Sequence, residues 1–164
     1  MGRGEGLRHA RRPGALPPTE LDDEFGEQLR KAGGEFGTTT GRPRRTGWID
    51  LVALRYAARI NGFTSLCITK LDVLSGQGDL QVCTSYRTDS EAELDDWPYH
   101  QSVVHHLNPV YTTLPGWDDD ITKVRTAADL PENAKKYLAF IEEQVGVPVK
   151  LVGVGPARDQ IIEL

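Results

Sequence analysis

An α/β fold with a partial, mostly parallel β-sheet flanked by helices is predicted by three features of the sequence. Apolar runs of strand length, FTSLCIT (63–69) and LQVCTSY (80–86), are not limited to the in–out alternation of a sheet wetted on one face. Strand, helix and strand patterns alternate toward the end of the chain. Between them, WIDLVALRYAARI (48–60) is apolar nearly all round, the mark of a deeply packed helix.

The elements follow in order. Thr19 to Ala32 reads as a helix: Thr19 can cap it, Glu20, Asp22, Asp23 and Glu24 suit its positive end, and Leu21, Phe25, Leu29 and Ala32 form one stripe. Gly33 and Gly34 end it. Trp48 to Ile60 is the second helix, with Thr46 as its cap and Asn61-Gly62 as its stop. Residues 63–69 and 80–86 are strands around a loop with two glycines. Residues 88–128 read as a polar surface excursion with one strand near Val110 to Leu114. Asp129 then caps a helix through Ala134, Tyr137, Leu138, Ile141 and Val145, with Glu132 completing a capping-box pattern and Gly146 closing it. VPVKLVGVG (147–155) is a strand running into a glycine turn, with no partner strand visible after it.

Composition narrows the function. The chain has 164 residues, 38% hydrophobic and 26% charged, as in an ordinary globular domain. A net charge of −5 lacks the basic footprint of a nucleic-acid binder, and no apolar run reaches the roughly 18 residues of a membrane span. Cys67 and Cys83 sit in apolar runs and read as buried free thiols of a reduced compartment, the cytosol or an organelle stroma or matrix. Residues 1–15 are Arg- and Gly-rich without apolar periodicity and read as a disordered end.

Three stretches carry chemistry. In GTTTGRPRRTGWID (37–50), the hydroxyls of Thr38, Thr39 and Thr40 and the bare backbone at Gly41 can donate to carboxylate or phosphate oxygens. Arg42 and Arg44, on either side of Pro43, add forked charge-assisted bonds, and the helix expected to follow adds a partial positive charge. The segment suits a small dianion; the plainer reading is a solvated basic loop. In ITKLDVL (68–74), a strand delivers Lys70 and Asp72 at its C-terminal end, where open α/β sheets bind ligands. A carboxylate at Asp72 matches the paired N1–H and 2-amino donors of guanine, which adenine lacks, while the lysine stem can lie along the base; two solvated charges are the alternative. In GVGPARD (153–159), glycines let backbone approach a flat ligand, or simply make a turn. His100, His105 and His106 have metal-like spacing, but with no cysteine nearby they read as surface histidines.

Together these stretches resemble the C-terminal portion of the adenylosuccinate synthetase family. The match is carried by LPPTEL (16–21), GEFGTTTGRPRRTGWIDLVALRYA (34–57), NGFTSLCITKLDVL (61–74), YTTLPGW (111–117) and VGVGPARDQII (152–162), in order. It covers residues 16–164, with 1–15 non-homologous. The resemblance implies the C-terminal part of that family's fold, and an activity that joins L-aspartate to IMP using GTP and Mg²⁺ to give adenylosuccinate, GDP and phosphate. It implies that Thr38, Thr39, Thr40, Gly41, Arg42, Pro43 and Arg44 form an aspartate loop, with Arg42 approaching IMP and Arg44 the GTP side. Lys70, Leu71 and Asp72 would read guanine, and Gly153, Val154 and Gly155 would border the base. It also implies a cytoplasmic homodimer. The family's phosphate loop, catalytic aspartate and phosphate-stabilising histidine lie in its first half and have no counterpart here. The expectation is therefore a fragment with no catalytic or metal-binding residue of its own, inactive alone. The alternatives are a non-catalytic guanine-nucleotide and aspartate-binding module, or a piece that does not fold stably.

Overall fold

The computed structural model describes residues 18–104 and 106–164, so the expected disordered end and His105 lie outside the described residues. The chain builds two sheets with helices around them, which bears out the α/β class. The first sheet contains β1 (Ile49–Asp50), β3 (Leu80–Arg87), β4 (Glu93–Leu94) and β5 (Asn108–Leu114), all paired to β3. The second has the order β2–β6–β7, from Leu66–Ile68, Val149–Gly153 and Ile161–Glu163. Among the described residues, only β1–β3 and β2–β6 run parallel; β3–β4, β3–β5 and β6–β7 are antiparallel. The sheets are thus mixed rather than mostly parallel. In the second sheet the connection explains it: β6 returns through a turn into β7, a strand not visible in the sequence, and short returns make antiparallel pairs.

Helix α1 runs Glu24–Ala32 and starts five residues later than the pattern suggests. Thr19 is buried and Glu20 bridges Gly47, while the Leu21 amide donates to the Thr46 carbonyl at 2.9 Å. That short bridge holds the segment extended, and Asp23 becomes the cap, accepting from the Gly26 amide at 2.9 Å. Helix α2 runs Leu51–Asn61, not from Trp48, because Ile49 and Asp50 are drawn into the ladder with Val82 and Cys83. Its cap is Asp50, whose Oδ1 accepts from Ala53 at 3.0 Å; Thr46 instead donates its hydroxyl to the Gly26 carbonyl at 2.8 Å. The helix buries Leu51, Val52 and Ala58, but its last turn faces solvent, with Ile60 61% exposed. It is packed on one side, not all round.

A short helix α3 spans Gln101–Val104, and α4 spans Glu132–Val145. Asp129 does not cap α4. It accepts from the Thr126 hydroxyl at 2.7 Å within a tight turn, and Pro131 occupies the cap position. Gly146 closes the helix as expected, in the left-handed conformation.

The main core joins the β2–β6–β7 sheet to α2 and α4, through Leu51, Leu66, Leu71, Ala134, Leu138, Ile141, Val152 and Ile162. The excursion at 88–128 contributes more than expected: Leu107, Trp117 and Ile121 are buried, and Trp117 meets Tyr137 edge-on at 6.1 Å. A second cluster gathers Val52, Cys83, Tyr86 and Leu107. Within it the Tyr86 hydroxyl donates to Asp50 Oδ2 at 2.6 Å, and burial pushes the Asp50 carboxyl above its ordinary range. Both cysteines are free. Cys83 is buried, but Cys67 is exposed, because β2 is the end strand of its sheet among the described residues.

Candidate functional site

The first component is a hairpin. Phe36 and Pro43 form a bridge, the Gly37 amide donates to the Arg42 carbonyl at 2.8 Å, and the Gly41 amide donates to the Gly37 carbonyl at 2.8 Å. Gly41 takes φ +61°, where a side chain would be strained, so glycine makes the turn. Thr38, Thr39, Thr40, Arg42 and Arg44 are all exposed on it. One contribution expected there is absent. The helix that follows begins at Leu51, and its positive end is already satisfied by the Asp50 cap, so it adds nothing to the hairpin.

The second component is the segment after β2. Ile68 pairs with Val152, so parallel β2 and β6 end at the same sheet edge. Thr69 packs on Gly153 there: a Cβ on Gly153 would stand 3.4 Å from the Thr69 Cα. Lys70 adopts φ 61°, ψ 34°, which costs a non-glycine residue on the order of 1 kcal/mol. The chain then turns through a single 3₁₀ segment, Leu71–Leu74. Leu71 is 1% exposed and serves as the anchor of that turn. Asp72 lies in it with Oδ1 buried and without a hydrogen-bond partner among the described residues. An unmet buried acceptor costs about 1–3 kcal/mol, so it marks a place for a donor.

The third component is the turn after β6. Val154 is fully buried. Its amide donates to the Gln160 carbonyl at 2.9 Å, and the Gln160 side chain lies so close to Gly155 that a Cβ there would stand 2.4 Å from it. A side chain at 155 would displace the Gln160 amide from its bonds to the Thr122 carbonyl and the Ala157 amide.

The hairpin and the segment after β2 meet at Glu35, a residue the sequence reading did not single out. One carboxylate oxygen accepts from Arg44 at 3.3 Å and the other from the Lys70 ammonium. That ammonium also donates to the Gly33 carbonyl at 2.7 Å. Lys70, and then Arg44, hold the Glu35 carboxyl below its ordinary range against a modest burial penalty. An acid in GGEFG, immediately before a basic block, was the available signal. No spacing rule links it to a lysine so far along the chain.

Other expectations resolve simply. Among the described residues, Asp72 has no arginine partner and Arg42 has no ion pair. His100 contacts the Ser102 hydroxyl at 2.7 Å and His106 lies 3.5 Å from Asp89. Among the described residues, no group of three His, Cys, Asp or Glu side chains is placed to hold a metal ion, and no helix is long and apolar enough to cross a membrane.

Comparison with known proteins adds the context. The family model described as adenylosuccinate synthetase matches residues 10–162. The adenylosuccinate synthetase of Frankia casuarinae is 56% identical over 152 residues, 92% of this chain and 35% of that protein. The Streptomyces coelicolor enzyme of the same name is 53% identical over 154 residues, 93% of this chain and 36% of that protein. The chain thus spans about a third of the length of the curated relatives it matches. The structure of fully ligated adenylosuccinate synthetase from Plasmodium falciparum superimposes with a TM-score of 0.87 at 38% identity, over 92% of this chain and 36% of that one. The chain belongs to the adenylosuccinate synthetase family.

Proposed function

We propose that this chain forms the guanine-reading and aspartate-gripping part of an enzyme that joins L-aspartate to IMP, using GTP and giving adenylosuccinate, GDP and phosphate. The observation that carries the reading is the orphaned Asp72 Oδ1 at the shared end of β2 and β6. Asp72 accepts from the two donors on one edge of guanine. The Lys70 stem lies along the base, and the backbone of Leu71 and of Gly153, Val154 and Gly155 borders it. Thr38, Thr39 and Thr40, with the Gly41 backbone, donate to the aspartate carboxylates. Arg42 clamps that ligand and reaches IMP, Pro43 stiffens the turn, and Arg44 faces the nucleotide side.

Mg²⁺ belongs to this chemistry as the partner of the phosphates. The described residues do not fit it, since they offer no ligand cluster, and no step is assigned to a metal on them. Phosphoryl transfer depends on positioning and charge neutralisation at the γ-phosphate; no Walker-type phosphate loop occurs in the sequence. The 164 residues alone therefore bind but do not turn over. A cytoplasmic homodimer goes with the same reading. The second reading, a non-catalytic guanine-nucleotide and aspartate-binding module, rests on the same residues.

Calorimetric titration of the chain with GTP and ATP tests the reading: GTP binds preferentially, and equal affinities remove it. Assay with IMP, GTP and aspartate gives no adenylosuccinate from the chain alone, and product appears when the remaining portion of a relative is supplied. Product from the chain alone overturns the division of labour; none in the supplemented assay favours the binding module.

A further inference from the structure

We propose that Glu35 is a positioning residue that couples the guanine pocket to the aspartate hairpin, so that filling one raises affinity at the other. The inference rests on the function proposed above, and deepens it. Glu35 divides one carboxylate between Arg44 of the hairpin and Lys70 of the base-reading segment. The hairpin is also tied to it by backbone, since the Arg44 amide donates to the Glu35 carbonyl at 2.9 Å.

The arrangement is a poor stability device. Side-chain exposures of 58% for Arg44 and 50% for Lys70 put both pairs largely in water, where such pairs contribute little. Its geometry suits another task. Lys70 must hold a strained left-handed backbone for its stem to face a base. Its ammonium is restrained by Glu35 and the Gly33 carbonyl, both on the turn that leads from the end of α1 into the hairpin. A base that orders Lys70 therefore orders Glu35, and with it Arg44. An aspartate carboxylate that draws on Arg44 leaves Glu35 more fully committed to Lys70. Each ligand meets part of the ordering cost of the other, and the coupling is reciprocal.

The test measures GTP affinity of the chain by calorimetry, with and without saturating L-aspartate. In the wild type aspartate raises GTP affinity about fivefold. In Glu35→Gln the ratio falls to one while GTP remains preferred over ATP, and Glu35→Asp restores part of it. As a check that needs no variant, GTP alone shifts the Gly37 and Gly41 amide resonances of the wild-type hairpin. A ratio of one in the wild type, an unchanged ratio in Glu35→Gln, or unmoved hairpin amides overturns the coupling and leaves the guanine site standing. Equal affinity for GTP and ATP in the wild type is a different result; it removes the function and the coupling with it.

Discussion

The segment after β2 and the arginine hairpin are neighbours built on opposite principles. The segment at Lys70–Leu74 is fixed by burial: Leu71 is embedded in the main core, Thr69 rests on Gly153, and the strain at Lys70 is held by its surroundings. The hairpin at 36–43 is held by its own backbone bonds and one glycine, with its threonines and arginines in solvent. A group that must distinguish two bases needs a rigid acceptor, because discrimination comes from leaving the wrong partner's polar groups unpaired. A group that must surround a small charged molecule can be ordered by that molecule.

Three substitutions sharpen the contrast, from the largest expected effect down. On the guanine-binding function proposed above, Asp72→Asn removes the acceptor; the GTP-over-ATP preference falls on the order of 1,000-fold in competitive titration, with the folded state intact. Leu71→Ala empties an anchor that is 1% exposed; denaturant unfolding shows a loss of about 2–4 kcal/mol, and guanine affinity falls with it. Gly41→Ala strains only the hairpin turn, where no atom lies within 4 Å of the added methyl; local stability falls by about 1 kcal/mol. Aspartate affinity then drops several-fold while guanine preference stays, read by titration and by faster amide exchange confined to 36–43. If Gly41→Ala unfolds the whole domain, or Leu71→Ala leaves it untouched, the two regions are not built differently.

Much of this was legible from residue patterns. The stripe of Ala134, Leu138 and Ile141 is α4, and the apolar runs at 63–69 and 80–86 contain β2 and β3. The errors share one cause. Thr19 and Thr46 are good caps by type, but a bridge between Glu20 and Gly47, far apart in sequence, claimed both segments first. Ile49-Asp50 looks helical until β3 is there to pair with it. β7 is three residues long and recognisable only against β6. The proposed site follows the same rule: Lys70, Asp72 and the threonine–arginine block are proposed from local chemistry, whereas the Glu35 pairs became visible only once folding brought residues 35, 44 and 70 together.

The unequal fates of the two cysteines give the molecule a built-in chemical handle. Cys83 is sealed in an apolar cluster that pushes its thiol up to about 12, which leaves almost no reactive thiolate at neutral pH. Cys67 stands in the open, three positions ahead of the strained lysine. A maleimide dye added to the unaltered chain will therefore label one position, and its emission becomes a reporter of any ligand that orders the neighbouring segment at Lys70.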